Sequence, residues 1–379
     1  MKKVKIGFTG DFCPIGRVEE LVQMGKWEKC FEQSLQFFNS NELNILDLEC
    51  PLTISENKIQ KTGPHLKASP KTVEILKYLN CTTVVTANNH FKDFGAEGMN
   101  ETYTVLKSFG IGWSGSGQNI ESASKISEFE ISGLKFALIN MTENEWTVTH
   151  GSEPGCNPID YPRALSRIQE ARLNGADFVI VILHGGHENY PLPSPRMKSQ
   201  FRFMVDAGAD AVIGHHTHII SGYEYYKNKP IFYSLGNFCF DWPGKRDSNW
   251  NKGMLLRLIF DENNGIDFEY QFVIQNDEHS GIKVMDEQQI KYMQIELDRI
   301  NSIIADDQQL SEAFDDYAET LKPVMISRIQ PYSNRLLISL FNRGLLPDII
   351  SISKKKMIKI LAQCESHREI LLHTLNKLK

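Results

Sequence analysis

The sequence predicts an α/β layer fold, and three observations carry that expectation. Short runs rich in Val, Ile and Leu recur along the first part of the chain, at 4–9, 44–48, 82–87, 178–183 and 211–213. Stretches with apolar residues at helical spacing separate them, so the runs read as buried parallel or mixed strands. Each run also ends beside a residue able to bind a cation or move a proton, and layered α/β folds place their ligand sites outside the carboxyl ends of their strands.

Taken in order, the first strand stops at Gly10-Asp11. Leu21, Val22, Phe31, Leu35 and Phe38 then predict a single helix over 18–39. The second strand stops at Glu49, followed by Cys50-Pro51, and 51–69 reads as an irregular loop punctuated by Gly63-Pro64. Helices over 70–79 and 96–109 enclose the third strand, which stops at Asn88-Asn89-His90 with Asp93 one turn on. Segments 125–131 and 134–140 flank Ser132-Gly133 and predict a hairpin. Helices over 164–174 and 195–207 enclose the fourth strand, which stops at His184 and continues as Gly185-Gly186-His187-Glu188. The fifth leads into His215-His216-Thr217-His218, and a β-rich run over 219–226, 230–235, 253–260 and 265–274 follows.

From Asp286 strand signals fade, and 288–304, 309–321, 334–343 and 354–377 carry helical periodicity. The expected organisation is a domain over 1–285 and a helical C-terminal extension over 286–379. The end of the extension is basic, with Lys354, Lys355, Lys356, Lys359, Arg368, Lys377 and Lys379. It reads as a solvated helical face or as a docking element for a partner or an anionic membrane surface.

Composition narrows the function. The 379 residues are 41% hydrophobic and 23% charged, ordinary values for a soluble globular protein. A formal charge of −6 argues against a nucleic-acid binder held by bulk electrostatics. Seven scattered cysteines without a C-x-x-C pair fit reduced thiols. The short first apolar run, broken by Lys5, is not that of a signal peptide, and no run approaches the ~20 apolar residues of a membrane span, so a cytoplasmic protein is expected.

Asp, Glu, Asn, His and a His-x-His pair at five strand ends form a convergent set of metal ligands. Imidazole is the commonest metal ligand among side chains, and a mixed oxygen and imidazole set suits Mn, Zn or Fe.

The order of motifs is specific. It runs through Gly10-Asp11, Leu48-Glu49-Cys50-Pro51-Leu52-Thr53, Ala87-Asn88-Asn89-His90 with Asp93-Phe94-Gly95, His184-Gly185-Gly186-His187-Glu188-Asn189-Tyr190, Gly214-His215-His216-Thr217-His218 and Tyr233-Ser234-Leu235-Gly236-Asn237-Phe238. Across residues 3–275 this text resembles the bacterial capsule-synthesis family CapA, also called PgsA-like, of poly-γ-glutamate systems. The resemblance implies a metallophosphatase-like β-sandwich flanked by helices, of the calcineurin-like phosphoesterase type. It implies a centre of one or two divalent ions held by Asp11, Glu49, Asn89, His184, His216 and His218, with Glu49 bridging. His90 becomes the general acid and Asp93 its orienting partner, Glu188 and His187 substrate contacts, and His215 an outer group. Where the superfamily carries Asp-x-His this chain reads Asp11-Phe12-Cys13, so Cys13 reads as a small buried thiol, which would weaken one metal position, or as a thiolate ligand.

The implied function is metal-dependent hydrolysis, of phosphoesterase type, in capsule or exopolymer biosynthesis. The substrate would be a phosphoester or an anionic polymer, with a capsule-synthesis partner met through the C-terminal helices. The alternative is a non-hydrolytic assembly or polymer-binding factor that keeps the metal.

Overall fold

The computed structural model describes residues 3–262, 265–332 and 334–363. Two mixed sheets pack face to face. In the first, β1 (Lys3–Cys13), β2 (Leu43–Leu48), β3 (Thr83–Val85) and β4 (Gly112–Ser114) run parallel. On the other side β13 (Asn237–Phe240) continues beside the end of β1, and β14 (Lys252–Asp261), β15 (Gly265–Gln275) and β16 (Ile282–Val284) extend the sheet antiparallel. The second sheet has the order β11-β12-β10-β9-β7-β6: β7 (Leu134–Thr142), β9 (Phe178–His184), β10 (Ala211–His215) and β12 (Lys229–Phe232) are parallel, with β6 (Ser127–Ile131) and β11 (Tyr223–Tyr226) antiparallel at the edges. A short pair, β5 (Ser116–Gly117) and β8 (Gly155–Cys156), lies apart.

Side-chain alternation sets the layers. Val4, Ile6, Phe8, Ile45 and Val85 meet Phe136, Leu138, Ile180, Ile182 and Ile213 of the second sheet in the core between the sheets. The opposite face of the first sheet offers Phe12, Leu46, Leu48 and Val84 to a second core with residues of α1 (Arg17–Gln23), α3 (Val73–Tyr78) and α4 (Gly95–Ser108). The expected sandwich flanked by helices is therefore the observed architecture. α6 (Tyr161–Leu173) and α7 (Pro195–Asp206) start at Asp160 and Ser194, whose side chains accept from the backbone N–H of Arg163 and Met197, and proline follows each cap within two residues. A one-turn α5 (Ile120–Ala123) follows β5.

One expected helix is broken. Instead of running over 18–39, the chain ends α1 at Gln23, passes through two 3-10 turns and forms α2 (Leu35–Asn39). Gly25, at φ 65°, takes the left-handed conformation that closes a helix. The hairpin at Ser132-Gly133 is as expected, with both residues at positive φ, the geometry of a two-residue turn between twisted strands.

The chain divides into two compact units, Met1–Ser311 and Glu312–Lys379. α8 (Glu287–Ala305), capped by Asp286 and Gln289, brings Met293 and Leu297 into the core between the sheets. The helical extension expected from residue 286 thus begins with a helix of the first unit. α9 (Asp307–Ile329) follows. In the second unit, α10 (Arg335–Asn342) is capped by Asn334, and α11 (Ile352–Gln363) covers the described part of the helix expected over 354–377. The basic residues after 363 lie outside the described residues. No helix among the described residues is long and apolar enough to cross a membrane.

Candidate metal centre

The sandwich converges at the carboxyl ends of its central strands. A β-bulge in β1 decides the first ligand: Phe8 pairs with Ile45 but Asp11 pairs with Asp47, one extra residue in β1. Val4, Ile6 and Phe8 face the second sheet, and without the bulge Gly10 and Phe12 would follow them there. With it, Phe12 turns to the helix side and Asp11 faces the histidines of the second sheet. The neighbouring strand end approaches so closely that a Cβ on Gly10 would stand 1.8 Å from the Gly236 carbonyl oxygen, and one on Gly214 would stand 2.1 Å from that of Tyr233. Glycine is needed at both.

Beyond β10 the backbone turns sharply, with His216 at φ 92° and His218 at φ 60°. Strained backbone at non-glycine residues concentrates where function over-determines it. The turn sends two imidazoles into one cleft. His216 Nδ1 lies 3.2 Å from His184 Nε2, which lies 3.0 Å from Asn89 Oδ1 and 3.8 Å from Glu49 Oε1. The same Glu49 oxygen lies 3.7 Å from His218 Nε2, and His218 Nδ1 lies 3.0 Å from Asp11 Oδ2. Among the described residues, Glu49, His184 and His216 form one ligand group, Asp11, Glu49 and His218 a second, and Asp11, Asp47 and His215 a third, the potential ligand atoms of each lying within 4.8 Å of one another. The six expected ligands are brought together.

The donor set fits a cation. Both carboxylate oxygens of Glu49 are buried and lack a hydrogen-bond partner. Burying a carboxyl group without donors is costly, and a cation held against Glu49 would remove that cost. Burial, reinforced by the charges of Asp11 and Asp47, pushes the Glu49 carboxyl well above the usual range. Burial also takes His184 and His216 down to about 3, so both imidazoles are neutral and available as ligands at neutral pH. For Asp11 burial acts upward, but hydrogen bonds from His215 and His218 outweigh it and hold the carboxyl well below its usual value.

His90 and Asp93 meet as expected: His90 Nδ1 lies 2.7 Å from Asp93 Oδ2. Burial lowers the His90 pKa, against the pull of Asp93. Asp93 also accepts from the Leu66 backbone N–H at 2.8 Å. Lys61, from the irregular loop, is buried against the pair, bonded to Asp93 and 3.1 Å from His90 Nδ1. Glu188 is exposed, and its charge acts on Glu49 and His216; His187 stacks edge-on against Tyr190 at 6.4 Å, and neither belongs to a ligand group. Cys13 lies in the core on the helix side, its thiol pushed well above the usual value by burial and then by Cys50.

Three participants escape the sequence reading. Asp47 reaches His184 Nδ1 at 2.9 Å and lies 3.8 Å from His215 Nδ1. Its signal is an acid inside an apolar strand, two residues before Glu49 and so on the same face. Asn237, which has the sequence context of a turn former, presents Oδ1 3.0 Å from His218 Nδ1. Lys61 has no local signal, since one lysine in a polar loop looks like any other.

Residues 5–242 match the family described as bacterial capsule synthesis protein PGA_cap. The chain belongs to this family. Relatives of this PGA_cap member include the capsule biosynthesis protein CapA of Bacillus anthracis, 30% identical over 257 residues (65% of this chain, 62% of that protein). The PGA biosynthesis protein CapA of Bacillus subtilis (strain 168) is 32% identical over 247 residues (64% and 65%). The PGA_cap chain thus spans slightly under two thirds of the length of these relatives. Among solved structures, a 5'-nucleotidase precursor from Thermus thermophilus aligns with TM-score 0.43 and 14% identity over 87% of this chain and 60% of that one. The calcineurin-like phosphoesterase YfkN from Bacillus subtilis aligns with TM-score 0.38 and 13% identity over 71% and 90%.

Proposed function

We propose that this PGA_cap protein is a metal-dependent hydrolase of phosphoesterase type acting in capsule or exopolymer biosynthesis. The supporting observation is Glu49, a buried carboxylate with two unpartnered oxygens between two sets of ligand side chains. Asp11 and His218 would hold a cation on one side of it, and Asn89, His184 and His216 a cation on the other. Divalent ions there would supply Lewis acidity and neutralise charge developing on a phosphoryl group. Oxygen and nitrogen donors without sulfur favour Mn, Zn or Fe.

The protein's own residues do the rest. Asp93 holds His90 through Nδ1 and favours its protonated form, against burial; once protonated, the imidazolium would keep the Nδ1 proton on Asp93 and give the Nε2 proton to the leaving oxygen. Lys61 balances the Asp93 charge and ties the 51–69 loop to the dyad. Glu188 and His187, on the loop after β9, would meet the substrate outside the ligand groups.

Cys13 supports a second reading. With a core thiol where the resembled superfamily carries a histidine, the Asp11 side would have one ligand fewer, which suits a metal-containing factor that binds polymer without cleaving it. Elemental analysis with phosphomonoester, phosphodiester, glycosidic and γ-glutamyl substrates distinguishes the two. Phosphoester turnover lost in Glu49→Ala and His216→Ala is expected. A metal-loaded protein that binds polymer and turns over none of the panel establishes the second reading instead.

A further inference from the structure

The second unit carries a surface that the metal centre does not use. Residues 334–363 are rich in Leu, Ile and Met, yet none of the described side chains from 334 to 362 is buried. Leu336 is 65% exposed, Leu345 66%, Ile349 55%, Ile352 74% and Met357 53%. An amphipathic helix of a globular protein normally turns such residues to a core, and a cluster of them left at the surface marks an interaction site. The same thirty residues hold two arginines and four lysines against one acid, Asp348, in a chain whose formal charge is −6. That aspartate is already engaged by Lys355 and by Gln330.

We propose that residues 334–363 bind the surface of an anionic phospholipid membrane, lying in the interface plane. Charge complementarity argues for lipid phosphates. The apolar side chains supply the second signal that stable peripheral binding requires. Length argues the same way for α10, whose eight residues are too few to span a bilayer. Residue choice argues against a protein partner: protein interfaces are depleted in lysine and enriched in Arg and aromatic residues. This segment carries twice as many lysines as arginines and a single aromatic residue, Phe341. Lysine stems can lie along the apolar layer while their ammonium groups stay with the headgroups.

The test is sedimentation of the full chain with vesicles of phosphatidylcholine alone or mixed with phosphatidylglycerol. Binding to the mixed vesicles is expected to be at least about tenfold tighter and to weaken as salt rises from ~0.1 to ~0.5 M. Joint Lys354→Glu, Lys356→Glu and Lys359→Glu replacement is expected to abolish the preference for phosphatidylglycerol. Leu345→Asp with Ile352→Asp is expected to weaken binding to both kinds of vesicle. All five positions are exposed, and an unchanged thermal transition of each variant verifies the fold. Equal partition onto both vesicle types, or a full chain left in the supernatant, overturns the proposal. So does a self-associated chain that becomes monomeric in the Leu345→Asp and Ile352→Asp variant, since a second copy then covers the surface.

Discussion

Asp47 Oδ2 stands 2.9 Å from His184 Nδ1, so a carboxylate in the strand interior holds the imidazole by the nitrogen remote from Glu49. With a cation on Nε2, the imidazole proton sits on Nδ1 and Asp47 accepts it. Outer-shell partners of this kind orient a ligand and raise its basicity. Asp47→Asn is therefore expected to weaken metal binding by about 10–100-fold while the ligands stay in place. Titration against a chelator of known affinity measures it, and an unchanged affinity would show that Asp47 serves only the fold.

Glu49 sets stability against metal. A buried group without hydrogen-bond partners costs roughly 1–3 kcal/mol, and neither Glu49 oxygen has a hydrogen-bond partner within the protein. Glu49→Met, of similar length and apolar, is expected to raise the metal-free melting temperature and to erase the further rise on adding Mn or Zn. Calorimetry with and without metal reads both effects. A variant that melts lower than the parent without metal contradicts the reading.

Protons compete with the metal. Burial pushes Asp47 up to about 8, above its ordinary 3.8, so its contribution to metal-free stability is complete below about pH 4 and erodes as pH rises towards 8. Burial depresses His184 and His216 from 6.5 to about 3, so their contribution is complete above pH 6.5 and is lost as pH falls towards 3. Metal requires deprotonated carboxylates and neutral imidazoles. The thermal stabilisation from added metal should therefore increase from pH 5 to pH 8, with apparent affinity rising up to about tenfold per pH unit for each proton displaced. Stabilisation that is flat over that range would mean that the carboxylates are already ionised without metal.

His216 and His90 should fail differently. His216 belongs to a ligand group, whereas His90 is bonded to Asp93 and to no residue of that set. His216→Ala is expected to lose metal. His90→Ala should keep metal occupancy near normal and lose roughly 10²–10⁴-fold in turnover, the usual contribution of a general acid. Equal loss of metal in both variants refutes this division of labour.

Much of this site can be read in the sequence because strand ends announce themselves. Asp11, Glu49, Asn89, His184, His216 and His218 each follow a short apolar run, and a parallel sheet brings such ends together whatever their separation along the chain. What stays hidden depends on placement across layers. Asp47 sits inside β2, where an acid looks like an interruption until His184 is known to lie opposite. Lys61 meets Asp93 only because the 51–69 loop folds back, which no periodicity records. The break after Gln23 is masked because apolar spacing over 18–39 outweighs the single signal of Gly25.

The place where the chain can be cut follows from α8. Met293 and Leu297 join the core between the sheets, Asn301 Oδ1 accepts from the Tyr223 backbone N–H at 2.8 Å, and Tyr270 donates to Gln294 at 2.7 Å. Lys198, itself buried, bonds to the Ile304 carbonyl and pairs with Asp307 at 2.6 Å, and Leu310 is buried. A chain ending at residue 285 strips these partners from the first unit, and removing even one buried Leu or Met side chain costs about 2–5 kcal/mol. A chain ending at residue 311 keeps all of them. The shorter chain is expected to be insoluble or to melt far below the parent, and the longer one to stay folded and bind metal with parental affinity. Solubility, thermal melting and metal titration on the pair measure this. A stable, metal-binding chain ending at 285 would make α8 dispensable and move the unit boundary to the start of that helix.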